Sequence, residues 1–245
     1  MSGNIEGRNP VIEAIKSGRE IDKILIAGGA EGSIAKIKAL ARERGIPLLE
    51  VDRAKLNGMS ETGAHQGVIA MAAARGYVSP DDILKRAEER GEPPFIIVLD
   101  EITDPHNLGS VLRTANAAGA HGVIIPKRRS AGLTEVAAKT SAGAVEYTPV
   151  ARVSNLADTI DRLKKKNVWF YGASQNAEVC YTKADYRGAV GIVVGSEGGG
   201  MGRLIAEKCD FLVAIPMAGE INSLNASVAA GILMYEAVRQ RRGSA

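Results

Sequence analysis

The stretch FIIVLDEITDPHNLGSVLRTANAAGAHGVIIP (95–126) decides the fold. A short apolar run, FIIVLD (95–100), has the length and branching of a buried strand. Asp104-Pro105 then makes a turn, Asn107 is placed to cap, and a helix follows through Leu112 and Ala115. GVIIP (122–126) is a second buried strand. Outward from there the pattern repeats. VEYTPV (145–150), VWFYGAS (168–174), GIVVG (191–195) and FLVAIP (211–216) read as strands. NLADTIDRLKKK (155–166) places Leu156, Ile160 and Leu163 on one helix face, and LNASVAAGILMYEAVRQRR (224–242) is a long helix with a basic end, as the helix dipole favours. Near-continuous apolar strands separated by helices imply a mostly parallel α/β sheet with helices on both faces.

Toward the start, GYVSPDDILKRAEERGEPP (76–94) divides the chain. It carries eight charges between Asp81 and Glu92 and closes on Pro93-Pro94, which no helix continues through. The expected organisation is a first domain over 1–75, a linker over 76–92 whose centre forms a short helix, and a second domain over 93–245. In the first, IDKILIAGG (21–29), PLLEVD (47–52) and QGVIAMAA (66–73) read as strands. SIAKIKALARERG (33–45) reads as a helix, with Ser33 as N-cap and Gly45 as stop.

Composition bounds the function. The 245 residues hold 31 Lys+Arg against 28 Asp+Glu, a net charge of +3 that permits RNA binding without demanding it. With 45% apolar and 24% charged residues, wholesale disorder is excluded. No apolar run nears the ~18 residues of a membrane span, and MSGNIEGRNP lacks the apolar region of a secretory signal. The expectation is a cytoplasmic protein with no membrane association. Cys180 and Cys209 with three scattered histidines supply no disulfide framework and no metal site.

Three loops at strand ends carry the candidate chemistry, since ligands of open α/β sheets bind beyond the carboxyl ends of strands. The first, DEITDPHNLGSVLRTANAAG (100–119), offers Asn107 and, about two turns along its helix, Arg113, set among apolar neighbours. The second, VVGSEGGGMG (193–202), is glycine-rich but matches neither nucleotide fingerprint. It lacks a lysine, and Glu197 would repel a pyrophosphate, so it suits a ligand that is not strongly anionic. The third, IPMAGEINSLNASVAAG (215–231), offers Ser223 or Asn225 as helix cap and small residues for close packing. Each loop alone has an ordinary structural reading.

Together, in their order and spacing, PHNLGSVLRTANAAGAHGVI, VVGSEGGGM and IPMAGEINSLNASVA resemble the three motifs of the SpoU-type RNA 2′-O-methyltransferases of the SPOUT superfamily. NIEGRNPVIEAI (4–15) and GAHQGVIA (63–70) resemble the substrate-binding domain of bacterial members that methylate ribosomal RNA. The likeness is strongest to those acting on a guanosine of 23S ribosomal RNA, with KRRSAGL (127–133) in support.

The resemblance implies a deep trefoil knot in the second domain and a ribosomal-protein L30e-like, RNA-binding first domain. It implies S-adenosylmethionine held in bent form between the second and third motifs, and a homodimer whose sites are completed across the interface. Asn107, Arg113, Glu197, Ser223 and Asn225 match the family's catalytic positions. Ser174, Gly195, Ser196, Ile215, Pro216, Met217 and Leu224 fall at cofactor contacts. Ala226 and Glu220-Ile221-Asn222 are mild departures.

Methyl transfer from a sulfonium requires alignment and no metal. The ribose hydroxyl needs an outlet for its proton. Arginine is a poor base, so Arg113 is expected to clamp the hydroxyl and an RNA phosphate. RNA contacts are expected at Arg8 and Asn9 and at Lys127, Arg128 and Arg129, while His65 either contacts RNA or closes a strand-entry turn. His106 and His121 read as structural, and Lys164-Lys165-Lys166 as a solvated helix end. Transfer RNA is the alternative substrate. A non-catalytic ribosome-assembly factor of this fold is the alternative class, and a nicotinamide dehydrogenase lacks its fingerprint.

Overall fold

The computed structural model describes residues 3–30, 32–220 and 222–243. The chain divides into two compact units: residues up to Gly76 with Gly132–Glu135, and Tyr77–Ala131 with Val136 onward.

The first unit contains β1 (Asn4–Glu6), α1 (Arg8–Lys16), β2 (Ile21–Ala27), α2 (Ile34–Glu43), β3 (Leu48–Val51), α3 (Arg53–Met59) and β4 (Val68–Ala72). Its sheet runs β1-β4-β2-β3, with β2 and β3 parallel and β4 antiparallel to both its neighbours. Val11 and Ile15 of α1 and Ile34 and Ile37 of α2 pack on Ile24, Ile26 and Val68. On the other face Leu56 of α3 packs on Leu25 and Ile69. Each such buried side chain contributes about 1.5–3 kcal/mol relative to exposure, which is what holds so small a sheet between its helices. Ser33 stands at the N-cap position of α2, but its hydroxyl makes no cap bond; it accepts instead from Arg8 Nη1 at 3.4 Å.

The second unit holds α4 (Pro80–Glu89), β5 (Phe95–Leu99), α5 (Pro105–Ala117), β6 (Gly122–Pro126), α6 (Glu135–Thr140, whose first residue clusters with the first unit), β7 (Val150–Val153) and α7 (Leu156–Lys164). It continues through β8 (Trp169–Ala173), β9 (Val179–Cys180), β10 (Val190–Val194), α8 (Arg203–Lys208), β11 (Phe211–Ala214) and α9 (Ala226–Arg242). Among the described residues the sheet is seven-stranded, ordered β7-β6-β5-β10-β8-β11-β9. Every pairing in it is parallel. Strand β10 lies between β5 and β8, and all five of its residues are buried. Gly191 makes that insertion feasible: a Cβ there would stand 2.3 Å from the Phe170 ring of β8.

Residues 77–92, expected as part of a linker, are integral to this unit. Ser79 and Asp82 form a reciprocal capping box at the start of α4, worth about 1 kcal/mol. Ile83 is fully buried in the cluster with Ile96, Ile124 and Ala151. Gly122 admits it, because a Cβ there would meet Ile83 Cδ1 at 2.6 Å. The charges that suggested a linker lie on the outer face of an amphipathic helix. His121 ties the same region together: its Nδ1 accepts from Phe95 N–H at 3.0 Å and its Nε2 meets the Glu92 carboxylate at 3.1 Å. Burial pushes its pKa down, so the neutral ring carries its proton on Nε2.

The strand expected over 145–150 begins only at Val150. Residues Ala144–Glu146 form a turn of 3₁₀ helix after Gly143, whose φ is +85°, and Val145 N–H donates to the Ser141 hydroxyl at 3.3 Å. Local side-chain capture outweighs the β-branched composition there. Two lysines of the expected solvated triplet are in ion pairs, Lys164 with Asp210 and Lys166 with Asp81, each at 2.7 Å.

Candidate active site

The three loops leave the carboxyl ends of β5, β10 and β11. After β5, Asp104 caps α5 by accepting from His106 N–H at 2.9 Å, with Pro105 at the first helical position. The cap expected of Asn107 is thus supplied by Asp104, and Asn107, one turn in, keeps its side chain free for other work. Its Nδ2 donates to Glu197 Oε1 at 2.8 Å.

After β10 the chain closes on itself. Ser196 N–H donates to the Gly200 carbonyl at 3.0 Å and Gly200 N–H to the Ser196 carbonyl at 2.9 Å. A Cβ on Gly195 would lie 2.1 Å from the Gly200 carbonyl carbon, so this turn admits only glycine there. After β11, Asn225 caps α9: its Oδ1 accepts from Ser227 N–H at 2.9 Å and Val228 N–H at 3.3 Å. With the acceptor so engaged, the amide is aimed outward. It donates to Asn107 Oδ1 at 2.9 Å and also to Glu197 Oε1. Asn107, Glu197 and Asn225, one from each loop, therefore form a closed hydrogen-bonded triangle.

Beside the triangle lies a cavity of about 250 Å³. Ser174, Gly195, Ser196, Glu197, Ile215, Met217, Ser223 and Leu224 all line it. Pro216 does not, and Ile221 lies outside the described residues. Backbone groups and apolar side chains offer a flat heterocycle a slot, and Glu197, the one carboxylate among the described lining residues, suits a cationic sulfonium; the lining fits S-adenosylmethionine.

The sequence reading missed Asp100, Gln175, Asn176 and Asn222. The last three line the cavity. Asp100, buried at the end of β5, accepts from Gly202 N–H at 2.8 Å and so pins the far end of the glycine turn. Burial pushes its carboxyl pKa up, opposed by that bond and reinforced by Glu101. A single acid after a strand has no periodic signal to mark it.

Arg113 is exposed on α5 and makes no hydrogen bond or ion pair among the described residues. Of the basic triplet, Lys127 and Arg128 are likewise without side-chain partners, whereas Arg129 is in an ion pair with Glu101 at 2.7 Å. His106 approaches Thr140 Oγ1 at 3.3 Å. In the first unit, Arg8 is held by the Gln66 carbonyl at 3.1 Å. Of the two readings of His65, the contacts match the turn-closing one. The side chain is buried, with Nε2 on Asn57 Oδ1 at 2.8 Å and Nδ1 accepting from Gly67 N–H at 3.0 Å. Both ring nitrogens are thus engaged in shaping the turn.

Among the described residues no group of His, Cys, Asp and Glu could hold a metal ion, and no helix is long and apolar enough to cross a membrane.

Residues 94–235 match the model of the SpoU rRNA Methylase family, and residues 4–78 match that of the RNA 2′-O ribose methyltransferase substrate-binding domain. The chain belongs to the SpoU family. A relative from Bacillus subtilis (strain 168), named "Putative TrmH family tRNA/rRNA methyltransferase YacO", is 51% identical over 236 residues, 96% of this chain and 94% of its own. The SpoU methyltransferase AviRb from Streptomyces viridochromogenes, solved in complex with the cofactor AdoMet, is 25% identical with a TM-score of 0.63, covering 98% of this chain and 90% of its own. A solved RNA 2′-O ribose methyltransferase is 31% identical with a TM-score of 0.56, covering 98% and 88%. As a SpoU family member the chain is an RNA 2′-O-ribose methyltransferase dependent on S-adenosylmethionine.

Proposed function

We propose that this enzyme methylates the ribose 2′-hydroxyl of a guanosine in 23S ribosomal RNA, in the cytoplasm, from the cavity described above. The observation that carries the reading is the Asn107–Glu197–Asn225 triangle, which draws three loops far apart in sequence to one cavity wall. When bound, S-adenosylmethionine supplies an electrophilic methyl group. Ser174, Gly195, Ser196, Ile215, Met217 and Leu224 are the residues that would hold it, with Pro216 shaping the third loop and Ser223 at the cavity wall. Glu197, fixed by two amides, would orient toward the sulfonium. Arg113 would clamp the hydroxyl and an adjacent phosphate, with that phosphate or water taking the proton, because a guanidinium does not give up its own.

The strand order favours a trefoil-knotted second domain: β10 enters between β5 and β8, strands laid down earlier in the chain. A homodimer completing each site is supported by the unpartnered Arg113 and by Val228 and Tyr235, exposed seven residues apart on α9. The first unit would hold the RNA through Arg8 and its neighbour Asn9, with Lys127, Arg128 and, once released from Glu101, Arg129 meeting phosphates. Transfer RNA is the alternative substrate. Mapping of 2′-O-methyl groups on ribosomal and transfer RNA from cells with and without the chain tests the reading. Loss at one ribosomal guanosine supports it, and loss confined to transfer RNA overturns the ribosomal assignment.

A further inference from the structure

The first unit contains a second recess, of about 600 Å³, lined by Arg8, Arg53, Gln66 and the backbone of the turns at 27–30 and at Gly67. Both turns are tightly curled: Gly29, Gln66 and Gly67 have φ of +68°, +51° and +80°. The Gly28-Gly29 pair presents bare backbone. Arg8 is oriented there by Nε donating to the Gln66 carbonyl at 3.1 Å and Nη1 to Ser33 Oγ at 3.4 Å. Arg53, exposed at the start of α3, makes no hydrogen bond or ion pair among the described residues. Thus one guanidinium is fixed and one is free at the same recess.

Among the described residues no carboxylate lines the recess, although Glu50 stands at its edge: a Cβ on Gly28 would lie 3.1 Å from Glu50 Oε1. No aromatic side chain lines it either, so it offers no stacking platform for a base. Two guanidiniums suit a phosphodiester. Gln66 in the lining and Glu50 at the edge suit sugar hydroxyls. The volume accommodates more than a phosphate group alone.

We infer that this recess is an RNA-backbone subsite, taking one phosphate and its ribose from a strand of the substrate without reading the base. The inference rests on the RNA-methylating reading above and adds Arg53 and the recess to it. Arg53 is the residue to change, because Arg8 also holds the turns together.

The test measures binding of the full chain to a 23S ribosomal RNA fragment and to an unrelated single strand, as a function of salt, for wild type, Arg53→Ala, Arg53→Lys and Lys38→Ala. Lys38 is exposed on α2 and absent from the recess lining. Loss of one phosphate contact should weaken both RNAs roughly five- to ten-fold and lower the log–log salt slope by about 0.7–0.9. Arg53→Lys should recover part of the affinity, and Lys38→Ala should leave the slope unchanged. Affinity for S-adenosylmethionine, measured by calorimetry, should be the same in every variant.

If wild type binds RNA and Arg53→Ala matches it in affinity and slope, the subsite is wrong while the enzymatic reading stands. If guanosine monophosphate at millimolar concentration binds wild type and its binding alone is lost in Arg53→Ala, the recess is a free-nucleotide site and the inference is overturned. If wild type binds no RNA, both fail.

Discussion

The side-chain amide of Asn225 donates to the Asn107 carbonyl oxygen at 2.9 Å, joining the start of α9 to the first turn of α5 across 118 residues of sequence. The bond exists because each asparagine is relieved of one duty and assigned another. Asp104 caps α5, which frees Asn107. Asn225 caps α9 with its oxygen and reaches across with its nitrogen.

The two duties of Asn225 separate by substitution. Asn225→Ser keeps an N-cap and loses the reach to Asn107 and Glu197. It should melt within about 2 °C of wild type, since a cap exchange among good cappers costs only tenths of a kcal/mol. Its kcat for RNA methylation should fall by about 10²-fold, the scale of a misaligned reacting group. Asn225→Ala should lose both activity and about 1 kcal/mol of stability. Activity assays paired with thermal melts check this.

Arg113 is exposed and, among the described residues, without a partner. If its planar fork clamps hydroxyl and phosphate together, Arg113→Lys should bind RNA nearly as wild type and lose about 10²–10³ in turnover. Single-turnover kinetics beside a binding isotherm separate the two effects. Near-normal turnover in the lysine variant would remove the clamp.

The glycine turn is sterically closed. A Cβ on Gly195 would overlap the Gly200 carbonyl, so Gly195→Ala should open the turn. The expected cost is about 1–3 kcal/mol, with calorimetric binding of S-adenosylmethionine lost. Unchanged affinity in this variant would place the cofactor elsewhere.

Asp100 separates acceptor from charge. Its raised carboxyl pKa means that folding favours the protonated form, so stability falls as pH rises through the folded value and the carboxylate is a net cost at neutral pH. Asp100→Asn keeps an acceptor for Gly202 N–H and sheds the charge. It should be at least as stable as wild type at pH 7 and hold S-adenosylmethionine comparably. Asp100→Ala leaves the Gly202 N–H without its acceptor and should weaken cofactor binding about ten-fold, near the 1–3 kcal/mol of an unsatisfied donor. Denaturation midpoints against pH, with calorimetry, test both.

In the first unit Glu6 shows the opposite sign. Burial pushes its carboxyl up, but hydrogen bonds from the Ser60 and Thr62 hydroxyls and from Glu61 and Thr62 N–H outweigh it and bring the pKa to about 2. That stability is present above the ordinary value near 4.5 and is lost as pH falls through about 2. Glu6→Gln should cost roughly 1 kcal/mol at pH 7, the charge-assisted bonds being discounted for solvent exposure. The two melting curves should converge as pH approaches 2.

Much of this was legible in the chain. Buried parallel strands declare themselves as unbroken apolar runs, which is why β5, β6, β8, β10 and β11 were expected within a residue or two. Short pieces with one anchor do not: α3 buries only Leu56 and β1 is three residues long. The segment at 77–92 misled because the charges of an amphipathic helix dominate its composition while Ile83 and Ala87, four apart, carry its packing. At the site, Asn107, Glu197 and Asn225 were found through the motif likeness. Asp104 as the true cap and Asp100 as the pin on Gly202 were not, because both act through contacts distant in sequence or shared among several good cappers. For His65 the sequence left an RNA contact and a turn-closing role open for the same reason: nothing local shows that Asn57 closes over it.

The most direct test of the account incubates the purified chain with methyl-labelled S-adenosylmethionine and unmodified 23S ribosomal RNA, then digests the RNA to nucleosides. The account predicts label in 2′-O-methylguanosine at a single site, abolished in Asn107→Ala. Label on a base, or undiminished ribose methylation in Asn107→Ala, would contradict it.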